Sequence, residues 1–275
     1  MSIRLINYSD IPAAMRLKEA AGWNQTEDDW RRLLTLAPDT CFGMDCEGTL
    51  AATVTAICYG EDLAWIGMVL TAPEFRNRGF ARRLMRHTLD HLRNRGLSWV
   101  KLDATEMGAG IYADFGFQFE YPVERWHRPA DALPIPEANC SGHALQISAI
   151  ASCDGFGVSR APLLNALLAS GGASLNGSGF ALWRHGSFAS QFGPCVAAGL
   201  DSAERLLCCG LHANFGLPLI WDLAPQNTVA VQLAAQYGFQ PARRLSRMAC
   251  ALRPGAAPVR PAMDSIFALA GFEYG

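Results

Sequence analysis

Val69-Leu70-Thr71-Ala72-Pro73-Glu74-Phe75-Arg76-Asn77-Arg78-Gly79-Phe80-Ala81-Arg82-Arg83-Leu84 is the most informative stretch of this 275-residue chain. Its first residues close an apolar run that reads as a strand. Pro73 breaks that run, and from Gly79 the period changes to that of a helix. A strand, a tight turn and a helix start together make an anion trap. The N–H groups of a first helical turn have no partner inside the helix, and the positive end of the helix dipole adds to them. Gly79 lets a ligand approach the backbone closely, Ala81 is too small to obstruct it, and Arg76 and Arg78 add local positive charge.

Upstream of this stretch, Ile3–Ile6 reads as a strand. A helix carrying Ile11, Met15 and Leu17 follows, then a second helix over Glu27–Leu36. Strands are predicted at Cys41–Met44, Leu50–Tyr59 and Leu63–Thr71, the last two joined by the turn Gly60-Glu61-Asp62. Downstream, Ala81, Leu84, Met85, Thr88 and Leu92 share one helical face until Gly96 stops it. A strand at Trp99–Asp103, a short helix at Gly110–Phe115 and strands at Phe117–Tyr121 and Val123–His127 complete an α/β unit. Pro129, Pro134 and Pro136 with Gly142 mark a linker. The expected domains are therefore 1–128 and 143–275, with a Pro-rich linker over 129–142.

The second half is expected to hold helices at Pro162–Ala169, Ser202–Leu211 and Val229–Tyr237, and strands at Phe180–Arg184, Phe188–Phe192 and Leu219–Leu223. It ends in an echo of the first half. Placing Gly238-Phe239-Gln240 over Gly116-Phe117-Gln118 sets Asn227 over Thr105 and suggests a diverged internal duplication. The stretch equivalent to the anion trap, Gly193–Gly199, has no Arg, and Ala234 stands where the first half has Tyr112.

Composition bounds the function. Twenty-three Lys and Arg against twenty-five Asp and Glu give a net charge of -2, so no global field draws the chain to nucleic acid or to an anionic membrane. No segment is apolar enough for a span or a signal peptide. Nine cysteines without CxxC spacing read as reduced thiols of a cytoplasmic protein. Cys208-Cys209 with His212 lacks further ligands, and His87 and His91 fall among arginines, so no metal is expected.

The turn at Arg76–Ala81 resembles the acetyl-CoA signature of the GNAT superfamily, Arg/Gln-x-x-Gly-x-Gly/Ala after a strand. Tyr112-Ala113-Asp114-Phe115-Gly116-Phe117 resembles a second hallmark of that family. The likeness covers roughly Ile3–His127. The whole chain, with its tail Ile266-Phe267-Ala268-Leu269-Ala270-Gly271, is similar to bacterial proteins built from tandem GNAT domains. This resemblance implies an α/β (α+β) fold with a mixed central sheet flanked by helices, followed by a degenerate second GNAT-like domain. It also implies transfer of an acetyl group from acetyl-CoA to a small-molecule or peptide amine.

By the same resemblance Val69, Leu70 and Thr71 offer main-chain groups to the pantetheine amides. Arg76, Asn77, Arg78, Gly79, Phe80, Ala81 and Arg82 surround the pyrophosphate, and Tyr112 protonates the departing thiolate. Thr105 stands where relatives often carry a cofactor-contacting Asn. Asp103 and Glu106 are candidates for a general base or for a helix cap. Ala21–Trp30, with two Trp and several acids, is either an amine-binding border or a helix break capped by Thr26 and Asp29. A sensor that binds acyl-CoA without turnover is the alternative reading.

Overall fold

The computed structural model describes residues 1–133, 135, 155–175 and 177–275. Most of the expected linker after Ile135 lies outside them. The described chain divides into two compact units. Unit 1 comprises residues 1–120, 248–259 and Tyr274; unit 2 comprises 121–247, 260–273 and Gly275.

Unit 1 runs β1 (Ser2–Leu5), α1 (Ile11–Ala20), α2 (Glu27–Leu36), β2 (Phe42–Cys46), β3 (Thr49–Tyr59), β4 (Leu63–Thr71), α3 (Phe80–Asn94), β5 (Trp99–Ala104) and α4 (Glu106–Ala113). Strands β1 to β4 form an antiparallel meander, and β5 lies parallel to β4. Parallel strands need a crossover, and α3 supplies it. Its Phe80, Leu84, Met85, Thr88, Leu89 and Leu92 are buried while its arginines face outward, the amphipathic split expected of a helix that covers one face of a sheet. Trp30, Leu33 and Trp65 are fully buried in the same unit.

The short helix α4 starts at Glu106 rather than Gly110. The Thr105 hydroxyl accepts from the Gly108 N–H at 3.1 Å and so caps a turn whose two glycines argue against helix by propensity. The two strands expected after it are one, β6 (Gln118–Arg128), which passes through Pro122.

Unit 2 takes up β6 at Tyr121 and continues with α5 (Ala161–Leu168), β7 (Gly172–Leu175), β8 (Gly179–Arg184), β9 (Ser190–Ala197), α6 (Leu200–Ala213), β10 (Leu219–Leu223), α7 (Thr228–Gln236), β11 (Gln240–Ala251) and β12 (Ile266–Ala268). Strands β7, β8 and β9 are antiparallel neighbours and β10 runs parallel to β9, with α6 as the crossover. Phe192, Trp221 and Phe239 meet edge to face in its core, with centroids 5.3 Å apart in both pairs. Strand β9 extends to Ala197, past the expected end at Phe192, because Gly193 and Pro194 sit in a register shift rather than a break.

Candidate active site

Strand β4 is paired to β5 through three residue pairs only, Leu63–Trp99, Ala64–Val100 and Trp65–Lys101. Beyond Trp65 the two strands part. Among the described residues no strand pairs with the β5-facing edge of Ile66–Thr71. On its other side β4 carries one more residue than β3 between the pairs Thr55–Gly67 and Thr53–Leu70, a bulge in which Met68 takes φ +48°. The Thr53 hydroxyl donates to the Met68 carbonyl at 2.8 Å and holds that bulge. Val69, Leu70 and Thr71 follow the bulge on this edge, where no described strand takes up the outward main-chain groups, the condition for pairing with an amide-bearing ligand.

The edge leads into the turn. A single 3-10 turn over Pro73–Phe75 ends at Arg76; Asn77 and Gly79 then adopt positive φ of 59° and 75°, on either side of Arg78. Alternation of this kind points successive N–H groups inward. Helix α3 begins at Phe80 with Gly79 as its N-cap, and no side chain caps it. The Arg83 N–H is the first to find a helical acceptor, the Gly79 carbonyl at 3.0 Å. The Phe80, Ala81 and Arg82 N–H groups precede it. A Cβ built on Gly79 would meet nothing within 4 Å, so the space above the loop is open.

The arginines of the turn are not equivalent. Arg76 reaches the Thr71 carbonyl at 3.4 Å, whereas the Arg78 guanidinium lies over Phe75 and Phe80, at 5.1 and 5.3 Å from their ring centroids. Arg82 bonds Asp114 at 2.6 Å, which brings the first turn of α3 to the C-terminal end of α4.

Tyr112 stands on the last turn of α4. Its ring lies at 6.0 Å from that of Phe117, and a Cβ on Gly108 would touch it, so a small residue is needed there for the ring to pack. No described residue hydrogen-bonds its hydroxyl. Burial pushes its pKa up to about 12, which keeps the phenol protonated through the neutral range. The Thr105 oxygen accepts from Gly108, so its hydroxyl proton is left for a further acceptor.

The carboxylates fall in different surroundings. Glu106 is exposed in the first turn of α4, and Asp103 is half-buried on β5. Glu120, which the sequence reading passed over, bonds the buried Lys101 ammonium at 2.9 Å through one oxygen while the other is buried without a hydrogen bond. Its only sequence signal is a charge inside a strand. The segment Ala21–Trp30 follows the capping reading. Thr26 and Asp29 form a reciprocal box at the start of α2, and Asp29 also receives Arg32 at 2.6 Å and the Tyr274 hydroxyl at 3.2 Å. Trp30 is fully buried and presents no face to a ligand. His87 is exposed and His91 half-buried; their rings also lie against Phe42 at 4.6 and 5.3 Å.

Two family models, both described as an acetyltransferase (GNAT) domain, match residues 2–119 and 152–268. The chain belongs to the GNAT acetyltransferases. It carries two GNAT domains in tandem and is an N-acetyltransferase by family. A curated relative, the [ribosomal protein bS18]-alanine N-acetyltransferase of Salmonella typhimurium strain LT2, is 24% identical over 151 residues, which is 49% of this chain and 97% of that protein. A putative acetyltransferase from Pyrococcus horikoshii superposes with a TM-score of 0.86 at 20% identity, over 100% of this chain and 95% of that one. A tandem GNAT protein from the clavulanic acid biosynthesis pathway gives 0.63 at 14% identity, over 92% and 99%.

The GNAT fold recurs in unit 2 without the turn. Where unit 1 has residues 72–79 between strand and crossover helix, unit 2 has Ala198 and Gly199 alone. Among the described residues no helix is long and apolar enough to cross a membrane, and no group of three His, Cys, Asp or Glu could hold a metal ion.

Proposed function

We propose that unit 1 binds acetyl-CoA and transfers its acetyl group to a primary amine, of a small molecule or a peptide, in a ternary complex. The observation that carries this reading is the continuity of two features: the unpaired edge of β4 beyond Trp65 leads through the turn 72–79 into the uncapped N-terminus of α3. An edge that can pair with amides followed by a nest of N–H groups suits a ligand with amides at one end and a diphosphate at the other. In this reading Val69, Leu70 and Thr71 bond the pantetheine arm. The Arg76 side chain and the N–H groups of Asn77, Arg78, Gly79, Phe80, Ala81 and Arg82 surround the pyrophosphate, with the Thr105 hydroxyl available to the arm.

The amine enters neutral and its nitrogen attacks the thioester carbonyl held along β4. A C–N bond forms, the C–S bond breaks, the nitrogen's proton leaves through water, and the thiolate takes its proton from Tyr112. The Tyr112 hydroxyl, which no described residue hydrogen-bonds and which keeps its proton through the neutral range, is available for that role. Among the described residues Cys41, Cys46, Cys58, Cys195 and Cys250 form no disulfide, which supports a reducing, cytoplasmic setting. Residues 129–142 as a linker between domains 1–128 and 143–275 belong to the same proposal, on the prolines of that stretch.

The test is CoA release from acetyl-CoA with a panel of polyamines, amino acids, aminoglycosides and peptides. Amine-dependent release by the full chain is the expected result. Tight CoA binding with no release from any amine would favour the sensor reading.

A further inference from the structure

The two units share one construction that ends differently. In unit 2, β9 and β10 are joined by three parallel pairs, Ser190–Leu219, Gln191–Ile220 and Phe192–Trp221, and then part as β4 and β5 do. Here the gap is filled. Strand β12 pairs antiparallel with the edge of β9 beyond Phe192, Ile266 opposite Val196 and Ala268 opposite Cys195, and the Ala197 N–H donates to the Ser265 carbonyl at 2.9 Å. Its other side is tied across the gap. The Leu269 N–H donates to the Asp222 carbonyl at 2.7 Å and the Trp221 indole N–H to the Phe267 carbonyl at 2.8 Å. Asn227, the N-cap of α7 and the counterpart of Thr105, donates its amide to the Ile266 carbonyl at 3.0 Å.

The fit is close. Ile266, Phe267, Ala268 and Leu269 are all buried, and Phe267 and Ala268 belong to the same core cluster as Phe192 and Trp221. Gly193 has φ +135°, and a Cβ there would collide with the Leu269 carbonyl oxygen. With only Ala198 and Gly199 before α6, no phosphate-sized turn follows the edge.

We propose that the cleft between β9 and β10 has become a peptide-strand site occupied by the chain's own residues 265–269, in the place where an acetyltransferase unit would take the arm of its cofactor. Unit 2 is thus a GNAT domain with a built-in strand as its ligand, and it takes no CoA. The comparison with a cofactor arm rests on the reading of unit 1, whereas the inserted strand itself does not.

Amide hydrogen exchange of the full chain, with and without saturating CoA, tests it. Without CoA, the amides of Ala197 and Leu269 should exchange roughly 1,000-fold or more slower than an unstructured peptide. With CoA, peptides spanning Cys195–Ala197 and Ile266–Leu269 should be unchanged while Val69–Thr71 gains protection. Fast exchange at Ala197 and Leu269, CoA-induced protection of Cys195–Ala197, or loosening of Ile266–Leu269 by CoA would each overturn the proposal. If CoA protects neither unit, the reading of unit 1 fails, and the exchange rates without CoA still decide for or against the inserted strand. Leu269→Pro, which removes the N–H bonded to Asp222, should raise exchange at Ala197 by about tenfold or more; unchanged exchange in that variant would show that the strand is not what protects β9.

Discussion

Arg82 and Asp114 meet at 2.6 Å, linking the first turn of the crossover helix α3 to the C-cap of α4, the helix that carries Tyr112. Both side chains are half exposed, so the pair is screened by water and adds at most about 1 kcal/mol to stability. Its value lies in position. Asp114→Asn should therefore leave the melting temperature within a few degrees of wild type and leave CoA affinity intact, since Arg82 is then released toward the turn. Arg82→Gln should weaken CoA binding by about tenfold or less, as expected for one of several charges near a diphosphate. Calorimetric titration with CoA checks both; a larger loss for Asp114→Asn than for Arg82→Gln would contradict the arrangement.

Gly79 provides a sharper variant. Asp tolerates the left-handed conformation better than most residues, and the space above Gly79 is open, so Gly79→Asp should cost only about 1 kcal/mol of stability. Its carboxylate would stand where the N–H groups of the turn converge. CoA affinity should fall by about tenfold or more, measured by titration on protein shown to be folded by circular dichroism. Unchanged affinity would remove the pyrophosphate from this turn.

Gly193 in unit 2 is constrained in the opposite way, by contact. An added methyl would meet the Leu269 carbonyl and force a non-glycine residue into φ +135°, so Gly193→Ala should destabilise the protein by about 2 kcal/mol or more. Chemical denaturation reports the loss. A neutral result would mean that the Leu269 carbonyl does not press against Gly193.

Tyr112 sets the pH dependence. Burial raises its folded pKa to about 12 from an unfolded value near 10, so the stability linked to its protonated form is fully present below about pH 10 and is lost as pH rises through 12. Over the same range the phenol keeps its proton. The rate should accordingly rise with pH as the acceptor amine deprotonates and show no fall assignable to Tyr112 below about pH 10. A descending limb between pH 7 and 9 that disappears in Tyr112→Phe would contradict this.

The elements that position the site were legible because their signals are local. Helix α2 has a capping box at Thr26 and Asp29 and an amphipathic face, and its predicted bounds Glu27–Leu36 match those observed. Strand β4 is bounded by the turn at Gly60 and by Pro73, and its bounds match as well. What stayed hidden depends on pairing at long range. Pro122 and Pro194 read as breaks, yet β6 and β9 run through them. The arginines of Gln240–Ala251 masked β11. Nothing in Ile266-Phe267-Ala268 distinguishes a strand laid into a cleft from a packed tail, because its partners Val196 and Cys195 are far away in sequence. The Met68 bulge was invisible for a related reason, since positive φ at a methionine is imposed by register against β3.

The central claim, that unit 1 transfers acetyl groups with Tyr112 as proton donor, is tested most directly by the turnover of Tyr112→Phe against wild type at saturating acetyl-CoA. The substitution keeps the ring against Phe117 and Gly108 and removes only the hydroxyl. The account predicts unchanged CoA affinity and a kcat lower by about 100-fold to 10,000-fold, the range that general acid catalysis contributes. Wild-type kcat from neutral to alkaline pH in the variant would contradict it and leave Tyr112 a packing residue.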